Sequence, residues 1–163
     1  MITAQEVVER AHRCVGKGCR YVLGKGGMQP EAEFPWRMVD GSPACDCSGF
    51  AMWCLKLSRL QEAVWYDTTR IESDAKSVGG LFVKVPLREA KPGDLIVYGD
   101  PPEGGQGHVG VIIKCGEFGP LTAIHCSKGN MRRVGDAIAE GNTALWLAKD
   151  GIVARCTLVE YPA

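Results

Sequence analysis

An α+β fold is predicted, with N-terminal helices packed on an antiparallel β-sheet. Three observations carry it. The capping box Thr3-Ala4-Gln5-Glu6 opens a helical pattern in which Val7, Val8, Ala11, Cys14 and Val15 share one face. A second pattern starts at Cys47, where Phe50, Trp53, Cys54 and Leu57 recur at helical spacing. From Pro92 onward, short β-branched runs broken by Pro/Gly turns replace that spacing. Helices followed by strands make an α+β arrangement.

Taken in order, Gly16 and Gly18 end the first helix, and His12 falls off its apolar face as a solvated histidine. Tyr21 to Gly27 reads as an extended piece entering a glycine-rich turn, without the strand-and-helix context of a phosphate loop. Residues 28–45 read as a long loop, a lid or wall. The Cys47 helix is expected to reach about Leu60. Asp67-Thr68-Thr69 caps a helix over 70–77, stopped by Gly79-Gly80, and a short strand follows at Phe82, Val83 and Val85. Beyond the turn Lys91-Pro92-Gly93-Asp94, strands are predicted at 95–98, 108–114, 121–127 and 152–161. A mobile Pro/Gly loop spans 99–107. Residues 130–150 are ambiguous, with Ala144-Leu145-Trp146 covering the sheet. No repeat divides the chain, so 1–163 reads as one domain.

The 163 residues suffice for a sizeable core. Nineteen basic and nineteen acidic residues leave no net charge to draw the chain onto nucleic acid or an anionic membrane. No stretch approaches a membrane span, and the amphipathic N-terminus is unlike a signal peptide. The eight cysteines form no CxxC pair, so mostly free thiols and synthesis in a reducing compartment are expected.

Asp46-Cys47-Ser48-Gly49-Phe50 is the candidate centre. Cys47 should sit in the first turn of a buried helix, where unpaired N–H groups and the helix dipole lower a thiol pKa. Asp46 opposes that through its charge, unless it caps the helix by accepting backbone N–H bonds. Two histidines supply the partner groups. A hairpin turning through Cys115–Phe118 would pair Lys114 with Gly119 and set His108 directly opposite His125, and a slip by two would keep both on one face. One imidazole would take the thiol proton while the other orients it. Gly107 and Gly110 would leave room for substrate. The same pairing also fits two surface histidines, or a zinc site with Cys47 and Cys126, although no ligand spacing typical of zinc occurs.

Four segments, in order, resemble the NlpC-type cell-wall cysteine peptidases, which are papain-like in fold. They are Tyr21-Val22-Leu23-Gly24 with Gly26-Gly27, Asp46-Cys47-Ser48-Gly49-Phe50, Lys91-Pro92-Gly93-Asp94-Leu95, and Gly107-His108-Val109-Gly110-Val111-Ile112 with Ile124-His125. The segments before Cys47 and between the histidines run longer than in that family. The resemblance implies Cys47 as nucleophile, His108 as general base and His125 as the orienting residue, with Tyr21 and Ser48 lining the site. It implies hydrolysis of a peptidoglycan stem-peptide amide, commonly D-glutamate–diaminopimelate, through an acyl-enzyme, with no cofactor and no metal. Arg37, Arg70, Arg132 and Arg133 could meet stem-peptide carboxylates. An acyltransferase or amidase on another amide or lipid, and a phage-type structural module keeping the fold, are the alternatives. A monomer is expected. A cell-wall role would call for delivery by a secretion system or phage, with an immunity protein or phage structural proteins as partners.

Overall fold

The computed structural model describes all of residues 1–163. Strand β1 (Ile2–Thr3) leads into α1 (Ala4–Arg13), and the capping box forms as expected: Thr3 Oγ1 accepts from the Glu6 N–H, and the Glu6 carboxylate accepts from the Thr3 N–H. Ala4, Val7 and Ala11 face the core. After β2 (Arg20–Tyr21), the segment expected to be a loop contains a hairpin, β3 (Arg37–Val39) and β4 (Ser42–Cys45). Its turn residues, Asp40 and Gly41, both have positive φ, as the tightest hairpin turns require. Strand β4 also pairs in parallel with β2, placing Tyr21 beside Cys45, two residues before Cys47.

Helix α2 (Cys47–Cys54) stops well short of Leu60, and all its residues are buried. The apolar spacing that suggested one buried face therefore belongs to a helix enclosed on all sides. A small hairpin follows, β5 (Leu60–Gln61) and β6 (Val64–Trp65), then α3 (Thr68–Lys76), capped by Asp67 as expected.

The main sheet draws on β7 (Phe82–Val85), β8 (Leu95–Tyr98), β9 (His108–Gly116), β10 (Gly119–Cys126), β11 (Ile138–Asn142) and β12 (Ile152–Cys156). Its order is β11-β10-β9-β8-β12-β7, with every neighbouring pair antiparallel. Helices α4 (Lys128–Val134) and α5 (Ala144–Ala148) occupy the ambiguous region. The last expected strand is broken: β13 (Val159–Glu160) separates from β12 and pairs in parallel with β1.

The sheet is apolar on both faces. Leu95, Val97, Val109, Val111, Ile113, Ile124 and Ile138 join the core beneath α1, α2 and α3. Ile96, Tyr98, Ile112, Ala123 and Val153 pack on the other face against Trp146 of α5, which covers the sheet as expected. Helix α2 packs mainly on β9.

The hairpin joining β9 and β10 departs from the expected register. Its turn is only Glu117–Phe118, with Gly116 paired to Gly119 and Val111 to Ile124, and an irregularity at Thr122. Glycine at both corners permits the tighter turn, Gly119 adopting φ +146. Continuing that register sets His125 beside Gly110, two residues from His108. The period of two keeps both histidines on one face as diagonal neighbours.

The loop after β2 folds over the start of α2. Gly27 has φ +77, and a Cβ there would collide with the Cα and carbonyl of Gly49 in α2. Gly24 has a similar φ of +79 but open space around it. Gly27→Ala is therefore expected to cost at least ~3 kcal/mol, and Gly24→Ala only ~1–2 kcal/mol for its left-handed backbone. Urea unfolding of the two variants measures the difference; equal costs would mean the loop does not press on the helix.

Candidate active site

The turn before Cys47 is built around a buried carboxylate. Asp46 caps α2, its Oδ1 accepting from Gly49 N–H at 2.8 Å, while its Oδ2 accepts from Gly24 N–H at 2.7 Å. The charge meets Arg59, whose Nη1 lies 2.6 Å from Asp46 Oδ1. The Arg59 side chain is 1% exposed, its Nη2 donates to Ser48 Oγ at 2.7 Å, and its guanidinium lies 4.1 Å from the centre of the Trp65 ring. Asp46 is thus a helix cap and an ion-pair partner at once. Arg59 was not legible as a site residue, because nothing in its local pattern separates it from a surface arginine.

Cys47 is 6% exposed. The N–H groups of Val109 and Ser48 favour its thiolate, which places the sulfur against the start of β9, one residue from His108. Burial first, and Asp46 second, nevertheless push the thiol up to about 12. This corrects the expectation of a lowered pKa: desolvation of the charged form outweighs the backbone donors.

His108 Nε2 and His125 Nδ1 lie 2.7 Å apart. Trp146 stacks on the His108 ring (centroids 5.1 Å apart, planes at 21°) and meets the His125 ring edge-on at 4.9 Å. Its Nε1–H donates to the His108 carbonyl at 3.2 Å. A Cβ at Gly110 would stand 3.0 Å from the Trp146 ring. The space at Gly110 thus admits the indole rather than substrate, and that at Gly107 is closed by the Tyr98 carbonyl and Thr68 Oγ1. The buried Asn130 steadies the second histidine, its Nδ2 donating to the carbonyls of His125 (2.9 Å) and Ala137 (3.1 Å). Burial, then the neighbouring His125, lowers His108 to about 3; burial, then Arg133, lowers His125 to about 4. At neutral pH the site holds a neutral thiol and two neutral imidazoles.

Two clefts open here. One, of about 270 Å³, is lined by Cys47, Ser48, Asp67, Trp65 and Asp100 among others. The other, of about 650 Å³, is lined by His108, His125, Lys128, Asn130 and Arg133 among others. Tyr21, Gln106 and Gly107 line both, so the two meet at a shared wall. Ser48 lines the first, but its hydroxyl is committed to Arg59. Of the four arginines singled out in the sequence, Arg133 alone reaches these clefts; Arg70 lies over the Tyr66 ring instead. The Cys126 thiol donates to the Cys45 carbonyl at 3.4 Å, and no three His, Cys, Asp or Glu side chains are grouped to hold a metal ion. All eight cysteines are free.

A cysteine at a helix start, beside a hydrogen-bonded histidine pair on an antiparallel sheet, defines the papain-like class of α+β cysteine hydrolases. Residues 37–130, over half the chain, match the CHAP domain, and the chain belongs to that family. CHAP domains are of the papain-like cysteine peptidase and amidase class that acts on peptidoglycan, the class to which the NlpC resemblance pointed. No curated protein matches the chain. Tyr21 and Trp146 lie outside the matched segment.

The buried ion pair and the buried histidines each give a prediction. Arg59→Met leaves Asp46 buried without its partner and is expected to cost ~3–5 kcal/mol, part of which Arg59→Met/Asp46→Asn recovers. Denaturant unfolding of the single and double variants checks this. The histidines give a pH dependence. Their folded pKa values lie below the unfolded value of 6.5, so the unfolded chain takes up protons first. Stability should therefore be full above pH 6.5 and fall towards pH 4, by up to ~1.4 kcal/mol per pH unit for each histidine. A His108→Gln/His125→Gln variant should show a shallower fall between pH 6.5 and 4.5 in the same measurement.

Proposed function

We propose that this protein is a cysteine endopeptidase cutting an amide bond in peptidoglycan stem peptides, that between D-glutamate and diaminopimelate, with Cys47, His108 and His125 as its triad. The observation that carries this is the 2.7 Å bond between His108 Nε2 and His125 Nδ1, at the strand start whose Val109 N–H meets the Cys47 thiol.

The roles follow from proton placement. His108 can accept the thiol proton only on a bare Nδ1, so its own proton sits on Nε2 and is donated to His125 Nδ1. His125 thereby selects the tautomer that can act as base. The thiol gives its proton to His108 as the sulfur attacks the amide carbonyl. Backbone N–H groups at the start of α2 stabilise the oxyanion. His108 then protonates the departing amine, leaving a thioester. Water, deprotonated by His108, attacks that thioester and releases the acid and the free thiol. Trp146 stacks on the His108 ring and meets the His125 ring edge-on, which holds the pair in place.

Purified peptidoglycan treated with the protein should yield new peptide ends at the D-glutamate–diaminopimelate bond by mass spectrometry. Cys47→Ala should yield none. His125→Asn, which retains an acceptor, should keep more activity than His125→Ala, the latter falling by ~10²-fold or more. New ends at another amide would replace the proposed bond, and ends that persist in Cys47→Ala would remove the mechanism.

A further inference from the structure

The two clefts differ in charge. The Cys47 cleft contains Asp46, Asp67 and Asp100, and its one cation, Arg59, is already paired with Asp46. The histidine cleft contains Lys128 and Arg133 and no acidic residue. Neither cation has a salt-bridge partner anywhere in the protein; ion pairs form at Lys56, Arg59, Lys76 and Arg155. Arg133 is nonetheless held in place. Its Nη2 donates to Asn130 Oδ1 at 3.0 Å, and the same buried asparagine bonds the His125 carbonyl. The Lys128 ammonium lies 5.8 Å from the centre of the Tyr21 ring, at the wall shared by both clefts.

The direction in which substrate lies follows from the chemistry. The general acid must stand next to the nitrogen that departs, so the amine half of the substrate lies on the side of His108. The acyl half, bonded to sulfur, lies on the side of Cys47. We propose that the histidine cleft is the leaving-group subsite, and that Lys128 and Arg133 select substrates whose departing residue carries a free carboxylate. This rests on the acyl-transfer reading above. It names the residues that would read the carboxylate of such a departing residue: a guanidinium bonded to Asn130 and an ammonium without an ion-pair partner.

The test uses two synthetic stem peptides that are identical except that the departing residue bears either a free carboxylate or a carboxamide. The full chain is expected to favour the carboxylate peptide by ~10-fold or more in kcat/KM, and rising salt should shrink that ratio because both cations are exposed. In Lys128→Ala/Arg133→Ala the ratio should fall towards one. Arg132→Ala, on the same helix but outside the cleft, should leave the ratio as it is. Equal, Cys47-dependent turnover of both peptides by the unaltered protein would overturn the subsite while leaving acyl transfer standing. Absence of Cys47-dependent turnover on either peptide would remove the acyl-transfer reading and the subsite with it.

Discussion

The buried pair Asp46–Arg59 is the constraint on which the rest of the site depends. A buried ion pair gains little net stability, because desolvation consumes most of the Coulombic attraction. Here the desolvation is offset by further bonds: Asp46 accepts from Gly24 and Gly49, and Arg59 donates to Ser48. Those partners come from the glycine loop, the start of α2 and the segment after α2. One charge pair therefore ties three separate pieces of chain at the position of Cys47. Its contribution is geometric: it holds the turn closed with the Cys47 sulfur against β9.

The second constraint is the sheet. A strand alternates sides, so β9 gives Val109 and Val111 to the core beneath α2 while His108 faces Trp146 and His125. The sulfur meets the backbone of Val109, the residue next to His108. The placement of Cys47 relative to His108 is thereby tied to a buried strand rather than to a loop.

Much of this was legible in the sequence. The capping box of α1, the Asp67 cap of α3, the strands at 95 and 108 and the covering role of Trp146 all followed from local spacing, and that local spacing has a physical cause. The hairpin within 28–45 was missed because Pro30, Pro35 and Pro43 outweigh a short strand signal, and its pairing with β2 is a tertiary contact. The register was off by two because Gly116 and Gly119 allow a turn of two residues. The shared face survived, since a slip of two preserves alternation. Arg59 and Asn130 were invisible for a different reason: what each does depends on partners distant in sequence or on burial, and neither leaves a periodic trace. The raised thiol pKa was missed because helix position is local, whereas desolvation belongs to the finished fold.

That raised pKa bears on how such a site works. With a thiol near 12 and an imidazole near 3, a resting thiolate–imidazolium pair is strongly disfavoured. In the proposed mechanism the proton would move as the sulfur attacks, when the new negative charge passes to the carbonyl oxygen and its backbone donors. Charge is created only when a substrate is present to carry it. A neutral thiol is also a poor target for oxidants, which react with thiolates. For a nucleophile of the kind proposed, burial would trade speed of attack for a thiol that stays intact between turnovers. The trade suits a chain with eight unpaired cysteines, in which a standing thiolate would be the first to oxidise.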